Sequence, residues 1–194
     1  MKVAIVKYNA GNVRSVENAL NRLGITPELT DDPETLVAAD KVIFPGVGEA
    51  STAMSYLRER SLDGVIRSLT QPVLGICLGM QLLCSFSEEN ATECIGILPY
   101  TVRKFESDDL KVPHIGWNDL FNMRSVLFDG VSENSFAYFV HGYYVEKGNE
   151  TVATANYGID FSAAVQHQNF YAVQFHPEKS GASGARILEN FLKI

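Results

Sequence analysis

The segment Pro72-Val73-Leu74-Gly75-Ile76-Cys77-Leu78-Gly79-Met80-Gln81 constrains this chain more than any other. An apolar run ends at a cysteine with glycines two residues to either side. Gly-x-Cys-x-Gly is the thiol form of the Gly-x-Ser-x-Gly elbow, in which a strand reverses sharply into a helix. Side chains at the two glycine positions would collide across that turn. The sulfur is left at the strand's carboxyl end, beside a first helical turn whose dipole and free N–H groups favour a thiolate. One stretch therefore predicts an α/β sheet, a nucleophile and, through the Leu78 amide, half of an oxyanion hole.

The rest of the first hundred residues fits such a sheet. Lys2 to Lys7 reads as a buried strand. Val13, Val16, Ala19, Leu20 and Leu23 recur at helical spacing, closed by Gly24. Ile25 to Leu29 reads as a second strand, and Asp32-Pro33-Glu34 as a helix start with proline at N1. Lys41 to Phe44 is a third strand, leading to Pro45-Gly46-Val47-Gly48. Ser51 to Arg60 and Leu62 to Leu69 follow as helices, Pro72 to Ile76 as a fourth strand, and Leu78 to Cys84 as the elbow helix. Repeated β-α-β units imply an open, largely parallel twisted sheet with helices on both faces. The C-terminal half adds a smaller antiparallel β portion: Phe136 to Val145, Thr151 to Tyr157, Phe161 to Gln168 and Tyr171 to Phe175, with a hairpin turn at Gln168-Asn169. A helix from about Ala185 to Leu192 ends the chain. Ser107-Asp108-Asp109 and Asn149-Glu150 read as exposed loops.

The chain of 194 residues reads as a single domain, 1–194, able to bury roughly 70% of its unfolded surface. A net charge of −7 points away from nucleic acid and from anionic membrane. No run approaches a membrane span, Val3-Ala4-Ile5-Val6 being cut short by Lys7. Three cysteines, none in a Cys-x-x-Cys pair, fit a reduced, cytoplasmic compartment. No metal-ligand spacing occurs and no cofactor is expected.

A cysteine nucleophile needs a base, and the base an orienting group. Of His114, His141, His167 and His176, only the last has a carboxylate at a useful offset, in Gln174-Phe175-His176-Pro177-Glu178. Pro177 biases His176 toward extended geometry, where residues two apart share a side, so Glu178 can orient the imidazole. The order Cys77, His176, Glu178 is that of a triad. Pro45-Gly46-Val47-Gly48, at the carboxyl end of another strand, is the natural source of a second oxyanion amide.

Gly75-Ile76-Cys77-Leu78-Gly79-Met80-Gln81, Pro45-Gly46-Val47-Gly48 and His176-Pro177-Glu178 together resemble the class I (triad-type) glutamine amidotransferases, over essentially the whole chain. Pro113-His114-Ile115-Gly116-Trp117-Asn118, Tyr138-Phe139-Val140-His141-Gly142-Tyr143-Tyr144 and Tyr8-x-x-Gly11-Asn12-x-x-Ser15-Val16 resemble one branch, the glutaminase subunits of imidazole glycerol phosphate synthase. The resemblance implies that Cys77 attacks the side-chain amide of L-glutamine, with His176 as base and Glu178 orienting it. Amides of Leu78 and the Gly46-Val47 segment would hold the oxyanion. Gly48, Gln81 and Glu89 would contact substrate, Glu89 receiving its ammonium. The backbone around His141, Gly142 and Tyr143 would hold its carboxylate. Ammonia would pass to a separate (β/α)₈ cyclase subunit in a heterodimer that makes imidazole glycerol phosphate and aminoimidazole carboxamide ribotide for L-histidine. Lys179 and Asn9 to Asn12 would face that partner.

The chain departs from the family at Lys7 and Asn9, where Asp and Gly are usual, and at Gly142, where serine is common. Competing readings are an amidotransferase subunit of the anthranilate or aminobenzoate type, disfavoured by Met80 and Trp117, a non-catalytic partner-binding protein on the same scaffold, and another thiol hydrolase. Cys84 is expected to be a buried small hydrophobe. Cys94 is expected to be partly exposed, with no cation near it in sequence. His114 and His141 read as hydrogen-bonded pocket or core groups, His167 as exposed, and Trp117 as a packing residue.

Overall fold

The strands Val3–Val6, Lys41–Gly46, Val73–Cys77 and Phe170–Val173 are buried along their whole length, the pattern of a sheet covered on both sides. The structure, a computed structural model, describes residues 1–8, 13–106 and 109–194. β1 (Val3–Val6) is buried throughout. α1 (Val13–Arg22) turns Val16, Ala19 and Leu20 inward. β2 (Glu28–Thr30) begins three residues later than the run from Ile25 suggests. α2 (Pro33–Ala38) is capped by Asp32, whose carboxylate accepts from the Thr35 N–H at 2.8 Å. β3 (Lys41–Gly46), α3 (Ala50–Glu59), α4 (Leu62–Ser68), β4 (Val73–Cys77) and α5 (Leu78–Leu83) complete the alternation. Then come β5 (Cys84–Ser87), β6 (Thr92–Glu93), β7 (Leu98–Lys104), β8 (His114–Leu120), β9 (Ser135–His141), β10 (Tyr143–Val145), β11 (Thr151–Asn156), β12 (Asp160–His167), β13 (Phe170–Val173) and α6 (Gly181–Lys193).

The central sheet runs β11-β12-β13-β4-β3-β1-β2. From β13 to β2 all neighbours are parallel; β11, β12 and β13 are antiparallel, the last two joined across Gln168-Asn169 with Gln168 at φ +52. Alternate strand residues feed two cores. Ala4, Val6, Val42, Phe44 and Val73 pack with Met54, Leu57 and Leu62 of α3 and α4. Val3, Ile5, Ile43, Leu74 and Ile76 pack with Val16 and Leu20 of α1 and with Ile187, Leu188 and Phe191 of α6. Fully buried rings such as Phe44, Phe161 and Phe191 each contribute about 1.5–3 kcal/mol by leaving water. No helix among the described residues is long and apolar enough to cross a membrane.

Two smaller sheets lie beside this one: the pair β8-β9, and β10-β7-β5-β6. Phe136 to Val145 is thus not one strand. It splits at Gly142, β9 pairing with β8 and β10 with β7. The side-chain pattern runs on through the glycine with no proline or turn dipeptide, so the break is invisible to periodicity. The elbow helix ends at Leu83; Cys84 is already extended (φ −68, ψ 175) and opens β5. α6 begins at Gly181, four residues before the apolar spacing from Ala185 becomes regular. Of the predicted loops, Asn149-Glu150 lies between β10 and β11, whereas Ser107 and Asp108 lie outside the described residues.

Candidate active site

The elbow forms where the sequence places it. β3 and β4 run parallel with Gly46 opposite Cys77, so the Pro45 to Gly48 turn and the cysteine leave the same edge of the sheet side by side. Cys77 holds φ +54, ψ −110, a strained conformation for a residue with a side chain. The flanking glycines are sterically required. A Cβ at position 79 would collide with the carbonyl oxygen of Phe44, and one at position 75 would sit 3.0 Å from Leu83 Cδ1 and 3.2 Å from Ala172 Cβ. Leu78 is the first residue of α5, where an N–H has no intrahelical acceptor.

His176 and Glu178 meet, but not through a continuing strand. His176 is extended (φ −100, ψ 95), and Pro177–Lys179 then forms a 3-10 turn that brings the carboxylate back. Nδ1 lies 2.9 Å from Glu178 Oε1, and both side chains are buried. Burial pushes the imidazole's pKa down; hydrogen bonds to Cys77 and Glu178 outweigh burial and raise it to about 10. The backbone of His176 is fixed to β9 in a closed ring of bonds. Its N–H donates to the Tyr138 carbonyl at 2.9 Å, Ser180 Oγ donates to its carbonyl at 2.7 Å, and the Tyr138 N–H donates to that Oγ at 2.9 Å.

Cys77, His176 and the turn at Val47 and Gly48 open into a cleft of about 380 Å³, lined on its other sides by Gln81, Glu89 and the His141-Gly142-Tyr143 backbone, with Lys179 at the rim. Ten of the twelve sequence-predicted site residues therefore line one cavity. Glu178 stands behind His176, and Gly46 is covered by Leu78 and the Tyr8 hydroxyl. Among the described residues that buried hydroxyl has no hydrogen-bond partner. Burial, then the facing Cys77, raises its pKa far above the ordinary phenol value. A second cleft of about 440 Å³, at Lys2, Glu28 and Thr35, has no cysteine or histidine in its lining.

Glu89 is half-buried, and its Oε2 accepts from the Ala50 N–H at the start of α3 at 2.8 Å. Burial raises its pKa, the Ala50 bond opposes that, and Glu49 adds to it. Its loop is pinned by Ser87 and Thr92 and passes through left-handed Asn90 and Ala91. On the opposite wall the Tyr143 carbonyl accepts from His141 Nδ1 at 2.7 Å and from Gln81 Nε2 at 3.1 Å. A carbonyl only accepts, so Nδ1 of His141 carries the hydrogen. Its Nε2 then accepts from His114 Nδ1 at 3.0 Å. His114 is stacked between Phe139 and Tyr157. Burial lowers its pKa to about 4. Burial also lowers that of His141, to about 3, helped by repulsion from His114 and His176 and opposed by the Tyr143 bond.

Four side chains differ from expectation. Cys94 is buried, which raises its thiol to about 12 although the Arg58 cation lies near it in space. Trp117 is 55% exposed and meets only Tyr138 edge-on, so it is a surface residue and not a packing one. His167 is half-buried, 3.8 Å from the Glu150 carboxylate. Gln174, which the motifs do not single out, is fully buried, and its Nε2 lies 3.7 Å from Cys77 Sγ, as does the Val140 carbonyl oxygen. Strand alternation is the signal that could have found it: Gln174 and His176 share the side that faces Cys77, while Phe175 enters the core. Cys84 is buried, as expected, and burial raises its thiol. Asn9, Gly11 and Asn12 lie outside the described residues.

The class I glutamine amidotransferase family model matches residues 4–194. The imidazole glycerol phosphate synthase subunit HisH of Bacteroides fragilis (strain YCH46) is 55% identical over 196 aligned positions, covering all of both chains. The subunit of that name from Escherichia coli (strain K12) is 46% identical with the same coverage. Among solved structures, that of a glutamine amidotransferase superposes with a TM-score of 0.76 at 22% identity, covering 98% of this chain and 97% of that one. PurLQS from Thermotoga maritima gives 0.75 at 19% identity, covering 99% and 97%. At such identities the superpositions bear on the fold, which is shared. The family model and the full-length relatives bear on descent, and by them the chain belongs to the class I glutamine amidotransferases, in the family of imidazole glycerol phosphate synthase HisH subunits.

Proposed function

We propose that the cleft hydrolyses L-glutamine to L-glutamate and ammonia through a thioester on Cys77. The observation that carries this reading is the buried His176–Glu178 pair, 2.9 Å apart, beside a strained cysteine at the floor of an open cleft. Nδ1 is held by Glu178, so Nε2 takes the thiol proton, and the raised pKa of His176 keeps that proton on the imidazole until the ammonia departs. The thiolate attacks the substrate's amide carbon, and N–H groups of Leu78 and of the Gly46-Val47 segment hold the oxyanion. His176 gives its proton to the departing ammonia. It then takes one from the water that attacks the thioester, and glutamate leaves. Glu89 pairs with the substrate ammonium, and the backbone of His141, Gly142 and Tyr143 holds the carboxylate, with Gly48 and Gln81 completing the wall. Both amide hydrogens of Gln81 are already used, so what it offers substrate is Oε1.

The ammonia serves a separate cyclase subunit of (β/α)₈ barrel type, in a cytoplasmic heterodimer. That partner turns it into imidazole glycerol phosphate, with aminoimidazole carboxamide ribotide as co-product, in L-histidine biosynthesis. The docking face is the outer side of β8-β9. Ile115, Trp117 and Phe136 there are 61%, 55% and 59% exposed, on the strands whose far end reaches Val140 and the thiol. Lys179 sits at the cleft mouth next to this face. In the reconstituted complex, Cys77→Ala should abolish glutamine-dependent synthesis and leave ammonia-dependent synthesis intact. Trp117→Ser and Lys179→Glu should each weaken association. Loss of both activities in Cys77→Ala, or unchanged affinity in both surface variants, would count against these assignments.

A further inference from the structure

Gln174 has no role in the steps above, yet it is fully buried and its side chain ends at the reacting sulfur. We propose that Gln174 is a thiolate-supporting residue: its Nε2–H is aimed at Cys77 Sγ by Gln81, through a relay anchored on the Tyr143 carbonyl. The inference rests on Cys77 being the nucleophile.

Hydrogen-bond directions fix the amide orientations without ambiguity. The Tyr143 carbonyl can only accept, so Gln81 presents its nitrogen there, at 3.1 Å. The second hydrogen of that nitrogen points to Gln174 at 3.0 Å, so the facing atom of Gln174 is its oxygen. Its NH₂ group is thereby turned to the sulfur, 3.7 Å away. The Val140 carbonyl, also 3.7 Å from Sγ, suits a neutral thiol, which can donate to it. Gln174 suits the thiolate, which can only accept. The two contacts distinguish the protonation states of one atom. His176 and Tyr8 are the other titratable groups facing it. Unlike them, the amide keeps its donor at every pH. Gln81 is here a positioning residue, because it acts through Gln174.

The test is the pH dependence of Cys77 alkylation by iodoacetamide in the full chain, followed by peptide mass spectrometry. Gln174→Met keeps the length of the side chain and removes the donor. The midpoint for alkylation should rise by about one pH unit, and the rate below that midpoint should fall about tenfold. Gln81→Met frees Gln174 to turn and should shift the midpoint the same way by a smaller amount. Unchanged midpoints in folded variants overturn the proposal. If either variant fails to fold, the wild-type chain decides. The side-chain amide resonance of Gln174, labelled with ¹⁵N, should move with the same midpoint as Cys77 alkylation. A resonance that does not move overturns the proposal equally. Absence of any adduct on Cys77 in the wild type would instead refute its assignment as nucleophile, a result distinct from an unshifted midpoint.

Discussion

Lowering the pH from 7 to 5 should destabilise this protein through two histidines that cannot take up a proton while folded. Burial lowers His114 to about 4 and His141 to about 3, against about 6.5 in an unfolded chain. The sign follows from proton counting. Between pH 6.5 and about 4 the unfolded chain binds more protons than the native one, so stability falls as pH falls. Each histidine alone would lose about 2 kcal/mol by pH 5. The two together lose about 4 kcal/mol, and about 1 kcal/mol regained at His176, whose folded pKa is raised to about 10, leaves a net loss of about 3 kcal/mol. With a urea slope of about 2 kcal/mol/M, the unfolding midpoint should drop by about 1.5 M. Other groups do not mimic this. His176 changes in the opposite sense: raised to about 10, it is protonated across the window when folded but only partly so when unfolded at pH 7, so it stabilises slightly as pH falls. The carboxyls of Asp32, Glu88 and Asp160, held low by hydrogen bonds and ion pairs, act only below it. The assay is urea unfolding at several pH values, wild type against His114→Phe. Phenylalanine keeps the stacking on Phe139 and Tyr157. The variant should start less stable by about 1–3 kcal/mol, since His141 Nε2 loses its donor. Its net loss between pH 7 and pH 5 should be about 1 kcal/mol, about a third that of the wild type. An equal slope in both proteins, or His114 and His141 resonances titrating near 6.5 in the folded state, would refute the reasoning.

Three further outcomes are expected. Gly79→Ala, driven into the Phe44 carbonyl, should cost about 1–3 kcal/mol. In calorimetry it should lower Tm by about 2–4 °C per kcal/mol, and an unshifted Tm would contradict the steric account of the elbow. Glu89→Gln can still accept from the Ala50 N–H but loses its charge. KM for glutamine should rise at least about tenfold with kcat changed less, whereas a pure kcat effect would remove Glu89 from substrate binding. Asn190→Ala strips the donors that join α6 to the Leu127 and Asp129 carbonyls, at 2.9 and 2.8 Å, and should cost about 2–3 kcal/mol in urea unfolding with glutamine hydrolysis retained.

What is legible in the sequence is what local sterics and short spacing control. The elbow demands its glycines, Asp32-Pro33 announces a helix start, and runs apolar on both faces announce parallel strands. These elements appear within a few residues of their expected places. The pairing of His176 with Glu178 is legible although its reason is not, since a turn and not a strand returns the carboxylate. Illegible features depend on partners distant in the chain. Gly142 splits one aromatic run between two sheets because β7 and β8, far upstream, compete for it. Cys94 is buried, and Trp117 exposed, by packing that neither neighbourhood in sequence encodes. Gln81 is legible as a pocket residue. That both its hydrogens are taken, by Tyr143 and Gln174, requires the positions of α5, β10 and the end of β13 at once.

The central claim is that Cys77 is the nucleophile, and chemical selectivity among three cysteines tests it directly. All three are buried, Cys84 and Cys94 with raised thiol pKa values, but only Cys77 lines the open cleft beside His176. Incubation of the full chain with a glutamine-like alkylating agent, followed by peptide mapping, should yield a single adduct on Cys77, suppressed by excess glutamine. An adduct on Cys84 or Cys94 with Cys77 unmodified, or glutamine hydrolysis surviving in Cys77→Ala, would contradict it.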